Sequence, residues 1–205
     1  FDIFDTLLKR DCAVPHDVFR AMACVSGRDP DAFCRERVAA EARARASGRE
    51  VSLEDIYREM PGDEPEKEAL QALELRMEAV LLTGNQVVKP LYRAAMEWGK
   101  PVYILSDMYL PEAFVASVLE NCGYRDYRAL YISAARGKKK RDGSLFRLAM
   151  KDNGLKPARL FHVGDSLRGD FLAAHAVGVR ARRIPTRTNH TTYRPIGEST
   201  GDDAR

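Results

Sequence analysis

Between Pro90 and Ile184, short apolar runs alternate with helix-length segments, and this alternation limits the fold more than any other feature of the chain. Residues 102–105, 129–132 and 159–163 are short and rich in apolar and β-branched side chains, so they read as buried strands, with a last short strand over 179–184. Residues 91–98, 111–121, 144–153 and 171–177 read as helices, and each is followed by a glycine: Gly99, Gly123, Gly154 and Gly178. Parallel strands need crossovers of this length. The segment therefore predicts an α/β fold, a parallel sheet with helices on both faces.

Residues 8–88 show helical periodicity and no strand-like run. Pro15 stands near the start of a first helix that Gly27 closes. Asp29-Pro30-Asp31 opens a second, with Phe33, Val38 and Ala39 on one face and Arg35, Arg37, Arg43 and Arg45 expected mostly in solvent. Ser52 and Asp55 form a capping-box pattern ahead of Ile56 and Tyr57. After the Pro61-Gly62 break, Leu70, Leu73, Met77 and Leu81 predict one long helix from about residue 64 to 82. Residues 186–205, rich in Thr, Arg, Asn, Gly and Ser, are expected to form a tail or linker.

With 205 residues, the chain has room for one domain, or a core with one insertion. The net charge of +3 is too small and too mixed to indicate nucleic acid as a partner. Its distribution is uneven, because acidic residues outnumber basic ones between Leu8 and Val88 and the rest of the chain is basic, which suits an anionic substrate held by the α/β part. Cys12, Cys24, Cys34 and Cys122 form no C-x-x-C pair and read as reduced thiols of a cytoplasmic protein. No apolar run approaches the ~20 residues of a membrane span. The chain begins inside what reads as the first strand, so covalently linked neighbouring domains are expected.

Ligands of open α/β sheets bind outside the carboxyl ends of the strands, so the residues at those ends decide the chemistry. Phe1-Asp2-Ile3-Phe4-Asp5-Thr6-Leu7 puts a carboxylate at one such end and a hydroxyl four residues later, which makes Asp2 the candidate nucleophile. Ser106-Asp107 ends a second strand. Lys140 stands six residues before Phe146 with Gly143 between, and Gly164-Asp165-Ser166, followed by Asp170, ends a third strand. Taken in order, the four stretches resemble the motifs of the haloacid dehalogenase-like (HAD) hydrolase superfamily, most of whose members are magnesium-dependent phosphatases. The resemblance covers residues 1–7 and 89–184. It implies a Rossmann-like core of 1–7 and 89–185, with 8–88 as an all-helical cap that closes over the site and selects the substrate.

By this resemblance Asp2 attacks phosphorus and forms an aspartyl phosphate. The implied Mg2+ ligands are Asp2, the backbone carbonyl of Phe4 and Asp165, with Asp170 beside the metal; Gly164 is expected to let the backbone approach the ion. Lys140 is preferred over Lys138 and Lys139 for the cation between phosphate and Asp2. Ser106 is an implied phosphate contact, Thr6 is implied to orient the loop or touch the phosphate, Asp107 and Tyr109 are placed at the substrate entrance, and His162 reads as a satisfied core histidine. The implied substrate is a small phosphorylated metabolite, with a sugar phosphate as the specific guess.

One position departs from the pattern. The family's phosphatases carry a second Asp two residues after the nucleophile to protonate the leaving group, and here that residue is Phe4. An aromatic there also occurs among the superfamily's dehalogenases, which makes a 2-haloacid dehalogenase one alternative. The combination with Ser106-Asp107-Met108-Tyr109-Leu110-Pro111 also resembles hydrolase domains of bacterial proteins with polysaccharide glycosyltransferase domains. A degenerate binding or spacer domain of such a protein is the other alternative.

Overall fold

A computed structural model describes residues 1–184 of the protein; the tail expected over 186–205 lies outside the described residues. After residues 1–7 the chain forms β1 (Leu8–Arg10), α1 (Asp17–Ser26), α2 (Pro30–Arg45), α3 (Leu53–Arg58), α4 (Glu64–Leu81) and β2 (Leu82–Gly84). It continues through α5 (Lys89–Glu97), β3 (Tyr103–Ser106), α6 (Glu112–Asn121), β4 (Ala129–Ile132), α7 (Ser133–Arg136) and α8 (Ser144–Asp152). A 3-10 turn at Pro157–Arg159 precedes β5 (Phe161–Gly164). A π-helical turn at Leu167–Leu172 then leads into α9 (Ala173–Ala176) and β6 (Arg180–Arg183).

The sheet is centred on Phe1 and Asp2. β3 pairs in parallel with β4, and β5 in parallel with β6. The first two residues lie between these pairs. Phe1 donates its amino N–H to Tyr103 O (2.8 Å) and accepts from Leu105 N–H (2.9 Å), the slanted pattern of a parallel neighbour, while Asp2 N–H donates to Val163 O (2.9 Å). The lateral order is thus β4, β3, Phe1–Asp2, β5, β6. Alternate residues of β3 and β4 face opposite ways. Ile104, Leu130 and Ile132 pack in one core with Tyr92 of α5 and Val115, Val118 and Leu119 of α6. Tyr103, Leu105 and Tyr131 pack in a second with Leu145, Phe146, Ala149 and Met150 of α8 and Ala173 and Ala174 of α9.

The helical segment begins and ends in strands, contrary to the expectation that residues 8–88 contain none. β1 and β2 pair antiparallel, Leu8 opposite Gly84 and Arg10 opposite Leu82. Three-residue strands leave no periodicity to read, and each partner is remote in sequence. Several local signals do hold. Asp29 caps α2 through Ala32 N–H, Ser52 and Asp55 form a reciprocal capping box on α3, and Gly27 ends α1 at φ 70°.

The expected solvation of Arg37 is overturned. Its side chain is fully buried between α2 and α4, with Nε and Nη2 each 2.8 Å from the Glu74 carboxylate. Three aromatic rings surround the guanidinium, those of Phe19, Tyr109 and Tyr57. Such a charge is tolerated in a core only because it is paired and fully hydrogen-bonded. No helix among the described residues is long and apolar enough to cross a membrane.

Candidate active site

The carboxyl ends of Phe1–Asp2, β3 and β5 meet at one place, and Lys140 enters it from the loop before α8. Lys140 is the buried member of its lysine run. Its Nζ donates to Asp2 Oδ1 in a close contact and to Asp170 Oδ1 at 2.6 Å. Lys139 instead turns to the helical segment, where it meets Gly48 O (3.2 Å) and Glu50 (3.3 Å). The Lys140 loop is held by Asp107, whose Oδ1 accepts from Lys140 N–H (2.6 Å) and Oδ2 from Arg141 N–H (3.3 Å). The Asp107 carboxylate, expected at the substrate entrance, is committed to that backbone.

Asp2, Asp165 and Asp170 each offer a carboxylate oxygen, and these lie within 4.8 Å of one another. The three carboxyl groups gather around the Lys140 ammonium in a largely buried place. Hard oxygen donors in such a group suit a divalent cation such as Mg2+. Burial lifts the Asp2 carboxyl to about 7, Lys140 opposes the rise, and Asp170 and Asp165 add to it. A bound cation acts the other way and favours the carboxylate. Burial also disfavours the Lys140 ammonium, but Asp2 and Asp170 outweigh it and hold the group above its usual range. Asp170 is likewise disfavoured by burial, yet Lys140 and the His162 hydrogen bond hold it well below the usual carboxylate range.

A β-carbon at Gly164 would lie 2.3 Å from the Asp170 carboxyl carbon, so the glycine leaves the space that Asp170 fills. The π-helical turn carries Asp170 back over β5, and Ser166 N–H donates to its Oδ2 at 3.0 Å.

The remaining expected residues fall around this centre. Thr6 is fully buried and its hydroxyl has no hydrogen-bond partner, an orphaned donor of the kind an incoming oxyanion would satisfy. Ser106 is buried at the end of β3. Phe4 is half-buried beneath the Arg10 guanidinium, 4.7 Å from its ring centroid, and Arg10 forks onto Glu78 of α4. Asp5 is exposed at φ 60° and stands outside the carboxylate cluster.

A family model for haloacid dehalogenase-like hydrolases matches residues 1–178. The chain belongs to that family. No curated protein matches this hydrolase. Among solved structures it is similar to the HAD phosphatase of Thermococcus onnurineus, with 18% identity and TM-score 0.58 over 98% of this chain and 89% of that one. It is also similar to the HAD-type hydrolase YfnB of Bacillus subtilis, solved with magnesium, at 16% identity, TM-score 0.64, and 91% and 90% coverage. The L-2-haloacid dehalogenase of Xanthobacter autotrophicus matches at 16% identity and TM-score 0.62, over 90% and 75%. At such identities the likeness concerns the fold.

Two residues of this hydrolase escaped the reading of its motifs. Asn85 is buried just after β2; its Nδ2 donates to Thr6 O (2.7 Å) and its N–H to Leu7 O (2.8 Å), which pins the loop behind Asp2. No local pattern marks an asparagine whose partners are 79 residues away. His162 is indeed buried and satisfied, but its partner is Asp170, with Nε2 2.8 Å from Oδ1. Burial pushes its imidazole down to about 4, against the pull of that carboxylate. Its partner was readable in part, since His162 and Gly164 share a strand face and Gly164 leaves room there for Asp170.

Proposed function

We propose that this hydrolase is a magnesium-dependent phosphatase acting on a small phosphorylated metabolite, with a sugar phosphate as the specific candidate. The observation that carries the reading is the Asp2–Asp165–Asp170 cluster with Lys140 between Asp2 and Asp170. A dehalogenase expels a halide without a cation, and three converging carboxylates able to hold a metal ion are not what that reaction asks for. Asp2, Asp165 and the Phe4 carbonyl would hold the ion with Asp170 beside it; bound there, Mg2+ screens the phosphate oxygens from the attacking carboxylate.

The chain's own groups then divide the work. An Asp2 oxygen attacks phosphorus in line, the bond to the leaving oxygen breaks, and that oxygen departs with its electron pair. Lys140 neutralises a non-bridging oxygen beside Asp2, and Thr6 and Ser106 supply hydroxyl donors. Asp107 keeps Lys140 in place through the loop backbone. Residues 8–88 act as a cap over the core of 1–7 and 89–185, supported by Leu53 N–H donating to Tyr109 O (3.0 Å) beside the site. Water then attacks phosphorus, the bond to the Asp2 oxygen breaks with its electron pair returning to the Asp2 carboxylate, and phosphate leaves while the water's proton passes to it or to solvent.

Phe4 supplies no proton, so leaving groups that are stable as anions should react fastest. The test is phosphate release from an aryl phosphate and a panel of sugar phosphates, with Mg2+ and with chelator. Turnover of the aryl phosphate that chelator abolishes, and that Asp2→Asn lowers at least a thousandfold, is expected; activity retained in Asp2→Asn would overturn the mechanism. Phe4 also favours a second reading, a phosphate-binding module without turnover. An inert parent that gains phosphatase activity on Phe4→Asp would establish it.

A further inference from the structure

The Asp170 carboxylate is held by three donors from three different places. Oδ1 accepts from Lys140 Nζ at 2.6 Å and lies 2.8 Å from His162 Nε2, while Oδ2 accepts from Ser166 N–H at 3.0 Å. The first donor is itself in contact with Asp2. His162 is therefore two bonds behind the Lys140 ammonium, and its ring is buried with the edge of Phe146 packed against it, centroids 4.9 Å apart at 88°.

We propose that His162 is a positioning residue: its Nε2–H fixes the Asp170 carboxylate, and through it keeps Lys140 beside Asp2. Without His162, Oδ1 keeps Lys140 as its one donor among the described residues. A further donor, rooted in β5 and braced by Phe146, fixes that oxygen independently of Lys140. Gly164 completes the arrangement, because any side chain there would take the space Asp170 fills. The kinetic consequence rests on the phosphatase reading, whereas the hydrogen-bond relay does not.

His162→Phe keeps a planar ring, somewhat larger than imidazole, and removes the donor, and His162→Gln keeps an N–H donor at similar reach. With the aryl phosphate and Mg2+, kcat should fall about 10–100-fold in His162→Phe, as for other groups that orient a site through a neighbour, with KM changed little. His162→Gln should recover most of that loss. The independent readout is nitrogen NMR of the protein. The His162 ring should be the Nε2–H tautomer, and a slowly exchanging Lys140 ammonium signal should persist in His162→Gln and vanish in His162→Phe. Three results would overturn the proposal: the Nδ1–H tautomer in the parent, an unchanged Lys140 signal in His162→Phe, or equal impairment of both variants with parental melting temperatures. If the parent cleaves no phosphate ester, or His162→Phe does not fold, the parent's tautomer and the Lys140 signal of His162→Gln decide the matter.

Discussion

Space for one carboxylate sets the residue at position 164. The Asp170 carboxyl carbon stands 2.3 Å from where a β-carbon would be, and the neighbouring carboxylate oxygen 2.6 Å, so alanine there cannot be accommodated by a small shift. Asp170 cannot give way cheaply either, since it is buried and bonded to Lys140, His162 and Ser166. Gly164→Ala should therefore destabilise the protein by about 1–3 kcal/mol, the usual cost of overpacking. It should also lower phosphate release at least tenfold, because it pushes aside the carboxylate that steadies Lys140. Denaturant melts and turnover of the same preparation check both parts; a variant as stable and as active as the parent would mean that Asp170 has another place to go.

At the scale of elements, α2 and α4 are joined by a charge pair buried among aromatic rings. Glu74 takes two bonds from Arg37 at 2.8 Å and one from Tyr57 Oη at 2.7 Å. Truncating Glu74 leaves the buried Arg37 with only Glu41, at 3.2 Å, as its acidic partner among the described residues, so Glu74→Ala should cost about 3 kcal/mol. Hydrogen exchange should show faster exchange in α1 to α4 while β3 to β6 stay protected. Uniform loss of protection would instead mean that the helical segment and the sheet unfold as one unit. This pair also shows where sequence reading stops. Helix caps, glycine stops and the alternating strands are set by residues a few positions apart, so 102–105 and 129–132 were legible. Three of the four site stretches were legible because each sits at a strand end, and the fourth by the spacing of Lys140 to Gly143 and Phe146. Arg37, by contrast, looked like one of several solvated arginines. Glu41, four residues on, supplies one bond at 3.2 Å, but the two buried bonds come from Glu74, remote in sequence, and β1 depends on β2 in the same way.

At the scale of the whole molecule, the carboxylate cluster draws Asp2 from the middle of the sheet and Asp165 and Asp170 from beyond β5. Burial disfavours the Asp2 carboxylate more than Lys140 favours it, with Asp170 and Asp165 adding to the rise, so the apo fold carries a cost that an ion bound there would remove. A ligand that binds only the native state adds about 2.7 kcal/mol at one hundred times its Kd. For a chain of this size that corresponds to an increase in Tm of roughly 5–10 °C. Melting with and without saturating Mg2+ should show this shift, chelator should reverse it, and Asp165→Asn should lose most of it. The last expectation separates a metal site from a merely acidic one, because only at a metal site does removing a ligand abolish the response to Mg2+. A parent whose Tm ignores Mg2+ would leave the carboxylates without their cation and remove the main support for phosphate chemistry at Asp2.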